Sequence, residues 1–350
     1  MQGIVKRTNK GEEAYYFDLY LYSGNSKKGI SRFLGREMPD RQELAEKLFE
    51  YYEDFSKVVI GETGKKVKDY FKYTGVDDIE RSRFYYWALK HELNKNKLDR
   101  FQIIFSILFI LNSARAEGSR MVREDVEKSM DFRKKAKSNE QREAQNALRA
   151  LTWAFSKDFT WSTLSIRKLH GILFEGLEPE LAGKYKPYDN IAGDSLYGEI
   201  TTTTSYKKVP EAMKALFEEV KRNKSRIYPP ILALESHLKF EAIHPFHDGN
   251  GRIGRILLNR LLVENGFMPV IFFEENHKAY CNSLGKAREG QKDKYIKLFV
   301  KQLKKTRKVI EEHFETKEFQ SQRKNLSVLW DYSKKQYRIS FTNLANKFRS

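Results

Sequence analysis

Cysteine is almost absent from this sequence. The 350 residues include a single one, Cys281, so a disulfide within the chain and a zinc site built from several cysteines are both excluded. The N-terminal stretch MQGIVKRTNKGEEAYY also lacks the apolar core of a signal peptide. Both features favour a reducing compartment, and we predict a cytoplasmic protein.

Long apolar runs are missing as well. The longest, residues 103–111, is interrupted by Ser106. It falls short of the roughly 20 residues that a helix needs to span a bilayer. We therefore predict a buried helix over residues 101–116 and no membrane span.

Aromatic and basic residues, in contrast, are abundant. The chain has 24 Phe and 19 Tyr, and 65 basic residues against 47 acidic ones give a formal net charge of +18. Most charges alternate in sign along helix-like stretches, which is typical of a solvated surface. The basic excess also suits a polyanionic ligand such as ATP or a nucleic acid, and composition does not separate these two.

One short window carries most of the candidate chemistry: HPFHDGNGRIGR, from His244 to Arg255. The apolar period of residues 253–262 predicts a helix that begins near the glycines. Free backbone N–H groups at a helix N-terminus favour an anion. Arg252 and Arg255 are three residues apart and so share a helix face, and guanidinium groups suit phosphate oxygens. Asp248 offers a carboxylate of the kind that Mg²⁺ prefers beside a phosphate.

Two other functions are open from the residues alone. His247 and Asp248 form an HD dyad that, with His237 or His244, suggests a metal-dependent phosphohydrolase. His237, however, lies on an apolar helix stripe, where a packed core histidine is expected. A DNA-binding regulator that uses the basic surface and the C-terminal tail is the third possibility.

The window resembles the signature of the Fic (filamentation induced by cAMP) family, HPFx[D/E]GNGRxxR, at every defined position. The resemblance covers roughly residues 105–300. It implies a mainly α-helical bundle with a β-hairpin flap. It also implies an enzyme that transfers AMP from ATP, with Mg²⁺, to a Ser, Thr or Tyr hydroxyl of a protein, which includes the enzyme itself.

The resemblance assigns a role to each residue of the window. His244 is the expected general base, and Asp248 is the expected magnesium ligand. Further residues of the window are expected to contact the nucleotide: Gly249, Asn250, Gly251, Arg252, Gly254 and Arg255. Tyr280, beyond the window, would lie near the adenine. Glycine at position 251, where a related kinase branch has lysine, argues against phosphorylation.

A second motif precedes the first. Residues 113–118, SARAEG, resemble the [S/T]xxxE[G/N] inhibitory segment of one class of Fic proteins. The residues alone indicate only a helix end, with Glu117 exposed in the last turn and Gly118 as C-cap. The resemblance implies that Ser113, Glu117 and Gly118 form an inhibitory element in which Glu117 pairs with Arg255. Glu117 then either blocks the position of the γ-phosphate or orients a water that removes AMP from a modified protein.

The flap is predicted at Asn190, Ile191, Ala192 and Gly193, ahead of a β-prone stretch over residues 199–204. In the family such a flap binds the side chain of the target by main-chain pairing. The resemblance is what implies this role, because a polar hairpin is ordinarily surface structure.

The chain divides into three predicted segments. Residues 1–100 hold a small β element over residues 4–35 and further helices, residues 101–305 form the Fic catalytic domain with its inhibitory helix, and residues 306–350 form a helical tail that resembles the first part of a winged helix. The expected partners are ATP and a protein target, a homo-oligomer is possible, and nucleic acid is left open.

Overall fold

A computed structural model gives the structure of most of the chain. It describes residues 2–9, 11–23, 26–62, 64–72, 74–91, 95–131, 135–192, 201–224 and 226–315. The described part is mainly α-helical, as predicted. Gly193 of the predicted flap and the predicted tail beyond residue 315 lie outside the described residues.

The N-terminal β element is a three-stranded antiparallel sheet. Its strands are β1 (Gln2–Asn9), β2 (Glu12–Ser23) and β3 (Ser26–Gly35), in the order β1-β2-β3. The aromatic run of β2 and the extended pattern of β3 predicted a hairpin over these residues, and this prediction is confirmed. Strand β1 carries a weaker alternation and was not distinguished from the sequence.

Thirteen α-helices occur within the described residues. They are α1 (Arg41–Glu50), α2 (Tyr52–Glu62), α3 (Lys65–Tyr70), α4 (Thr74–His91), α5 (Lys95–Arg115), α6 (Arg123–Ser129), α7 (Asn139–Ala154), α8 (Thr163–Leu173), α9 (Val209–Asn223), α10 (Pro229–Ile243), α11 (Asn250–Glu264), α12 (His277–Arg288) and α13 (Asp293–Glu315). A two-stranded sheet of β4 (Ile191–Ala192) and β5 (Thr201–Thr202) lies between α8 and α9.

Two hydrophobic clusters meet at α4. The smaller cluster joins the N-terminal sheet to α1, α2 and α4, and its buried members are Phe17, Leu34, Leu48, Phe55, Phe84 and Trp87. The neighbours Tyr85 and Tyr86 point into the larger cluster, which contains the rest of the helical core. Helix α4 is therefore buried on both sides, and it ties the sheet to the helices.

Helices α10 and α11 form the centre of the larger cluster. Both are buried along nearly their whole length, so each has apolar neighbours on all sides. The loop between them, residues 244–249, begins and ends in a packed core. Because the interior is close-packed, this loop has little freedom to move. Among the described helices, none combines the length and apolar character that a bilayer span requires.

The smaller cluster predicts a clear difference between two phenylalanines. Phe55 is fully buried, with its ring centroid 5.3 Å from that of Phe17 and 5.8 Å from that of Trp87. We expect Phe55→Ala to lower the free energy of unfolding by about 3–5 kcal/mol, since it leaves a cavity. Phe33, which is 47% exposed, is the matched control, and Phe33→Ala should cost about 1 kcal/mol or less. Denaturant unfolding of both variants measures this, and equal losses would contradict the assignment of Phe55 to the core.

Candidate active site

His244 stands where α10 ends and the glycine-rich loop begins. Its backbone is left-handed, with φ 51° and ψ 62°, and its N–H donates to the Phe240 carbonyl at 2.9 Å. A non-glycine residue in this region is strained by about 1–2 kcal/mol, which the surrounding packing must offset. The turn stops the helix at Ile243 and begins the loop at His244.

The loop is fastened from inside by Asn250. This side chain is buried, its Oδ1 accepts from the Phe246 N–H at 2.9 Å, and its Nδ2 donates to the Phe246 carbonyl at 2.9 Å. Both polar atoms of the amide are thereby satisfied by one backbone unit. Asn250 therefore shapes the loop with its side chain, whatever its backbone N–H binds.

His170 of α8 supports the same loop, and sequence reasoning missed it. Its ring stacks between Phe174 and Phe246, with centroid distances of 4.5 and 4.0 Å. The Gly183 N–H donates to its Nδ1 at 2.9 Å, which leaves Nε2–H to donate to the Asp248 carbonyl at 3.3 Å. Burial lowers the pKa of His170 to about 4, so the ring is neutral at neutral pH. A histidine on the apolar face of a helix is usually an ordinary core residue. The sequence pattern of α8 therefore does not predict the contact between His170 and the loop.

The N-terminus of α11 presents free backbone donors. Gly249 is the N-cap, with φ 77°, and a Cβ there would lie 2.5 Å from the Phe174 ring. The first intrahelical bond runs from the Ile253 N–H to the Gly249 carbonyl at 3.0 Å, so the N–H groups of residues 250–252 lack an intrahelical acceptor. The Gly249 N–H donates to Asp248 Oδ1 at 2.5 Å. The backbone donors at this helix end that lack an intrahelical acceptor are therefore those of residues 250–252.

Arg255 is buried against the end of α5. Its Nε donates to Ser113 Oγ at 2.9 Å, and its Nη2 donates to the Ser113 carbonyl at 2.9 Å and to Glu117 Oε1 at 2.7 Å. Gly118 has φ 85° and follows the last turn of that helix. The structure thus brings the SARAEG segment and the second motif arginine into direct contact.

The Glu117 carboxylate also covers the start of α11. A Cβ at Gly251 would lie 2.2 Å from Glu117 Oε1, so the carboxylate fills the space that glycine leaves. Burial opposes its charge, but the Arg255 guanidinium outweighs burial and holds the pKa of Glu117 below its usual value. Glu117 is therefore an anion at neutral pH, placed at the helix N-terminus where an anion is favoured.

Arg252 points away from Arg255, although the two share a helix. Its Nη1 donates to Glu143 Oε1 at 2.8 Å, and its Nη2 donates to Asp248 Oδ2 at 2.9 Å. Glu143 of α7 also accepts from Ser119 Oγ at 2.6 Å. Sequence reasoning missed Glu143, because nothing in the sequence of α7 marks one acidic residue among several. Each motif arginine is thus paired with carboxylates of the protein itself.

The donor set at Asp248 fits Mg²⁺ only together with a phosphate ligand. The Asp248 side chain is 47% exposed, and it supplies one carboxylate. Among the described residues, no group of three or more His, Cys, Asp and Glu side chains is arranged to hold a metal ion. Mg²⁺ commonly takes one or two carboxylates, substrate phosphates and water, so the remaining ligands would come from a nucleotide and solvent.

The phosphohydrolase alternative gains no support from the geometry. His237 is buried, its Nδ1 lies 2.7 Å from the Tyr295 hydroxyl, and its Nε2 lies 3.1 Å from the Tyr280 hydroxyl. Both ring nitrogens are therefore used, as expected for a packed core histidine. His247 is exposed and lies beside Tyr188, whose hydroxyl is 3.2 Å from its Nδ1.

Two residues expected to contact the nucleotide lie behind the motif. Tyr280 is buried, with the Arg255 guanidinium 5.7 Å from its ring centroid, so its ring supports the arginine in this structure. Gly254 faces α10, where a Cβ would lie 2.3 Å from Glu241 Oε1 and 3.2 Å from a Phe240 ring carbon. Helix packing explains its missing side chain, and its contact with the nucleotide stays a prediction.

A two-stranded sheet lies where the flap is predicted, and Asn190 ties it to the loop. Ile191 pairs with Thr202 and Ala192 pairs with Thr201 in the β4–β5 sheet. Asn190 Nδ2 donates to the Phe246 carbonyl at 3.0 Å, and its Oδ1 accepts from Lys186 Nζ at 2.6 Å. Ile191 is 56% exposed. The first flap strand is therefore fixed beside the motif and offers its surface to solvent.

Electrostatics keep the candidate base neutral. Burial lowers the pKa of His244 to about 4, and the charges of Arg288 and Lys186 act in the same direction. A neutral imidazole is the form that accepts a proton. His244 is thus available as a base over the whole neutral range.

Comparisons with known proteins agree with this site. Residues 161–262 match the model of the Fic/DOC family. A probable protein adenylyltransferase of Aquifex aeolicus is 57% identical over 54 residues, which are 15% of this chain and 16% of that protein. The protein adenylyltransferase Fic of Drosophila persimilis is 37% identical over 82 residues, 23% of this chain and 16% of that protein.

The chain thus covers 16% of the length of each of these curated relatives. A crystal structure of a Fic domain containing signaling protein from Bacteroides thetaiotaomicron is similar with a TM-score of 0.57, at 21% identity, over 67% of this chain and 95% of that chain. This similarity shows a shared fold. The motif lies within residues 161–262, the segment that matches the Fic/DOC family model.

Proposed function

We propose that this chain is a protein adenylyltransferase that transfers AMP from ATP to a Ser, Thr or Tyr hydroxyl of a protein, which includes the chain itself. The observation that carries the proposal is the Glu117 carboxylate at the N-terminus of α11, bonded to Arg255 and seated over Gly251. A bound carboxylate marks this position as an anion site, and the γ-phosphate of ATP is the anion that the motif implies. The adenylyltransferase names of the two relatives support the same reaction.

In the proposed reaction His244 takes the proton of the incoming hydroxyl. The hydroxyl oxygen forms a bond to the α-phosphorus, and the bond from that phosphorus to pyrophosphate breaks. The free N–H groups of residues 250–252 stabilise the charge on the phosphate oxygens. Arg252 and Arg255 bind the β- and γ-phosphates once their internal carboxylates are displaced. Asp248 would hold Mg²⁺, which supplies charge neutralisation for the phosphates.

The flap is proposed to bind the target. Ile191 and its neighbours lie beside the motif with one strand edge towards solvent. An extended segment of the target that pairs with this edge would bring its hydroxyl towards His244, because main-chain pairing fixes register. The proposed catalytic unit spans residues 101–305. A cytoplasmic location, a homo-oligomer and nucleic-acid binding by the tail stay predictions.

Autoinhibition follows from the same contacts. ATP and the Glu117 carboxylate would compete for Arg255, so the resting chain should bind ATP unproductively. We expect Glu117→Gly to raise self-labelling by ATP labelled at the α-phosphate, in the presence of magnesium, by at least about tenfold, since a competing charge-assisted hydrogen bond is worth about 1.5–3 kcal/mol. Autoradiography of the purified protein measures the label.

The control for this labelling is the base. Adding His244→Ala to Glu117→Gly should abolish the label, and His247→Ala, the exposed neighbour, should leave it within about threefold, because His247 has no role in the proposed step. Equal labelling of the wild type and the Glu117→Gly variant would contradict autoinhibition. Labelling that persists after His244→Ala would show that His244 is not the general base.

Competition between ATP and Glu117 also predicts a stability effect. Glu117→Gly should lower Tm, since it leaves the Arg255 guanidinium buried without its carboxylate. Magnesium ATP should raise Tm more in this variant than in the wild type, because a ligand that binds the folded state more tightly stabilises it more. Differential scanning fluorimetry measures Tm without and with magnesium ATP. Glu117→Gln keeps the size of the side chain and removes its charge, so it separates the two effects. An ATP shift that is the same in all three proteins would contradict the competition.

Glu117 admits a second role in the same site. If it orients a water that removes AMP, the wild type should release AMP from a pre-labelled protein, and both Glu117→Gly and Glu117→Gln should lose at least about 10²-fold of this rate. Release of free AMP, followed by chromatography, measures it. Equal release by the wild type and the two variants would limit Glu117 to blocking ATP.

A further inference from the structure

Two neighbouring residues behind the motif each carry a buried side-chain atom without a hydrogen-bond partner among the described residues. The atoms are Oε1 of Glu241 and Nδ1 of His244. Glu241 lies in the last turn of α10, is 4% exposed, and places its Oε2 3.9 Å from His244 Nδ1. A buried carboxyl without a partner costs free energy of folding, so a function for it is the first question to ask.

The protein makes room for this carboxyl. Gly254 of α11 faces it, and a Cβ at that position would lie 2.3 Å from Glu241 Oε1. The other close histidine, His237, lies 3.6 Å away, but its two ring nitrogens are used by Tyr280 and Tyr295. Burial lowers the pKa of His237 to about 3, so it is not a cation that would pair with the carboxylate. Among the described residues, His244 is the other histidine that lies close to this carboxyl.

The imidazole of His244 is oriented to use such a partner. Its Nδ1 is buried, while the side chain as a whole is 18% exposed, so the exposure belongs to the other ring atoms. A histidine that acts as a base through Nε2 must carry its resting proton on Nδ1. A carboxylate at Nδ1 holds that tautomer and stabilises the imidazolium that forms, as the aspartate does in the Ser-His-Asp arrangement.

The charges around Glu241 set its protonation. Burial raises the pKa of Glu241 to about 7, the Arg255 and Arg288 guanidinium groups oppose this rise, and Glu117 adds to it. The titratable groups that face it come from four helices and the two motif segments: His237, His244, Arg255, Glu117, Arg288, Tyr280 and Tyr295. The two tyrosines stay neutral, since burial raises the pKa of each phenol well above 10. Glu241 therefore changes charge near neutral pH while His244 stays neutral.

We propose that Glu241 is a positioning residue for His244, whose carboxylate holds the Nδ1–H form of the imidazole and leaves Nε2 free to accept the proton of the target hydroxyl. The proposal rests on the proposed AMP transfer. The hydroxyl proton moves to Nε2, the hydroxyl oxygen bonds to the α-phosphorus, and pyrophosphate leaves with the electrons of the broken bond. The Nδ1 proton stays on the ring, and the Nδ1–H group donates a hydrogen bond to the Glu241 carboxylate. Protonated Glu241 would instead donate to Nδ1 and favour the Nε2–H form, which cannot act as the base.

A competing acceptor lies close by. The main-chain carbonyl of Glu241 also faces the His244 ring, and it accepts from Arg288 Nη2 at 3.0 Å. If this carbonyl alone holds the tautomer, the side chain at position 241 does not matter. A Glu241→Gln substitution keeps the carbonyl and the size of the side chain, so it separates the two acceptors.

The test uses the full chain with Glu117→Gly, so that transfer is measurable. We expect its labelling rate to rise with pH as Glu241 ionises, at a pH below about 7, because this variant lacks Glu117, which raises the pKa of Glu241. Adding Glu241→Gln should lower kcat by at least about 10²-fold, flatten that rise and leave KM for ATP within about threefold. Glu235→Gln on the same helix, whose carboxylate binds Lys292 and the Tyr70 hydroxyl, is the matched control and should change neither. An unchanged kcat and pH profile, or a change in KM alone, overturns the proposal.

Nuclear magnetic resonance of ¹⁵N-histidine in the Glu117→Gly variant tests the same contact without any transfer. The His244 signals should show the Nδ1–H tautomer above pH 7 and a shift towards Nε2–H after Glu241→Gln. The same tautomer in both proteins overturns the proposal. A shift of tautomer in a protein that labels nothing would keep the contact and reject the proposed function, so the two failures are distinguishable.

Discussion

The burial of the Arg255 guanidinium is the constraint on which the arrangement of the site depends. A charged group in a helical core must be paired, since an unpaired buried charge costs several kcal/mol. Here the pairing comes from the end of α5, through Ser113 and Glu117. The contact joins residues that are 142 positions apart, and it brings the SARAEG segment to the motif. The packing of α5 in the core therefore determines how Arg255 is paired in the candidate site.

The same principle extends to the other charges of the site. Arg252 is neutralised by Glu143 and Asp248, and its partner Glu143 is bonded to Ser119, just beyond the inhibitory helix. Each cation that would bind a phosphate is therefore already satisfied within the chain. Ligand binding has to exchange these internal pairs for new ones, so the net gain is small compared with the strength of each contact.

Much of the fold and of the site was predictable because its signals are local. The motif from His244 to Arg255, the helix end at Gly118 and the two strands of the hairpin each follow from neighbouring residues. Contacts between distant helices were not predictable from one sequence. Glu143 and His170 carry no pattern that separates them from ordinary surface and core residues. Tyr280 and Gly254 have the spacing of site residues, but spacing does not tell which neighbour a side chain meets, and here they meet Arg255 and Glu241.

The small space above Gly251 has a consequence for how this chain can vary. That space now holds a carboxylate oxygen of Glu117, and in the proposed reaction it would hold an oxygen of the nucleotide. Under the proposed mechanism, a side chain at position 251 would exclude the Glu117 carboxylate and the nucleotide together. Variants that escape the proposed inhibition while keeping activity would therefore have to arise in the segment from Ser113 to Gly118, outside residues 161–262, which match the family model. The proposed control and the proposed chemistry thus depend on separate parts of the sequence.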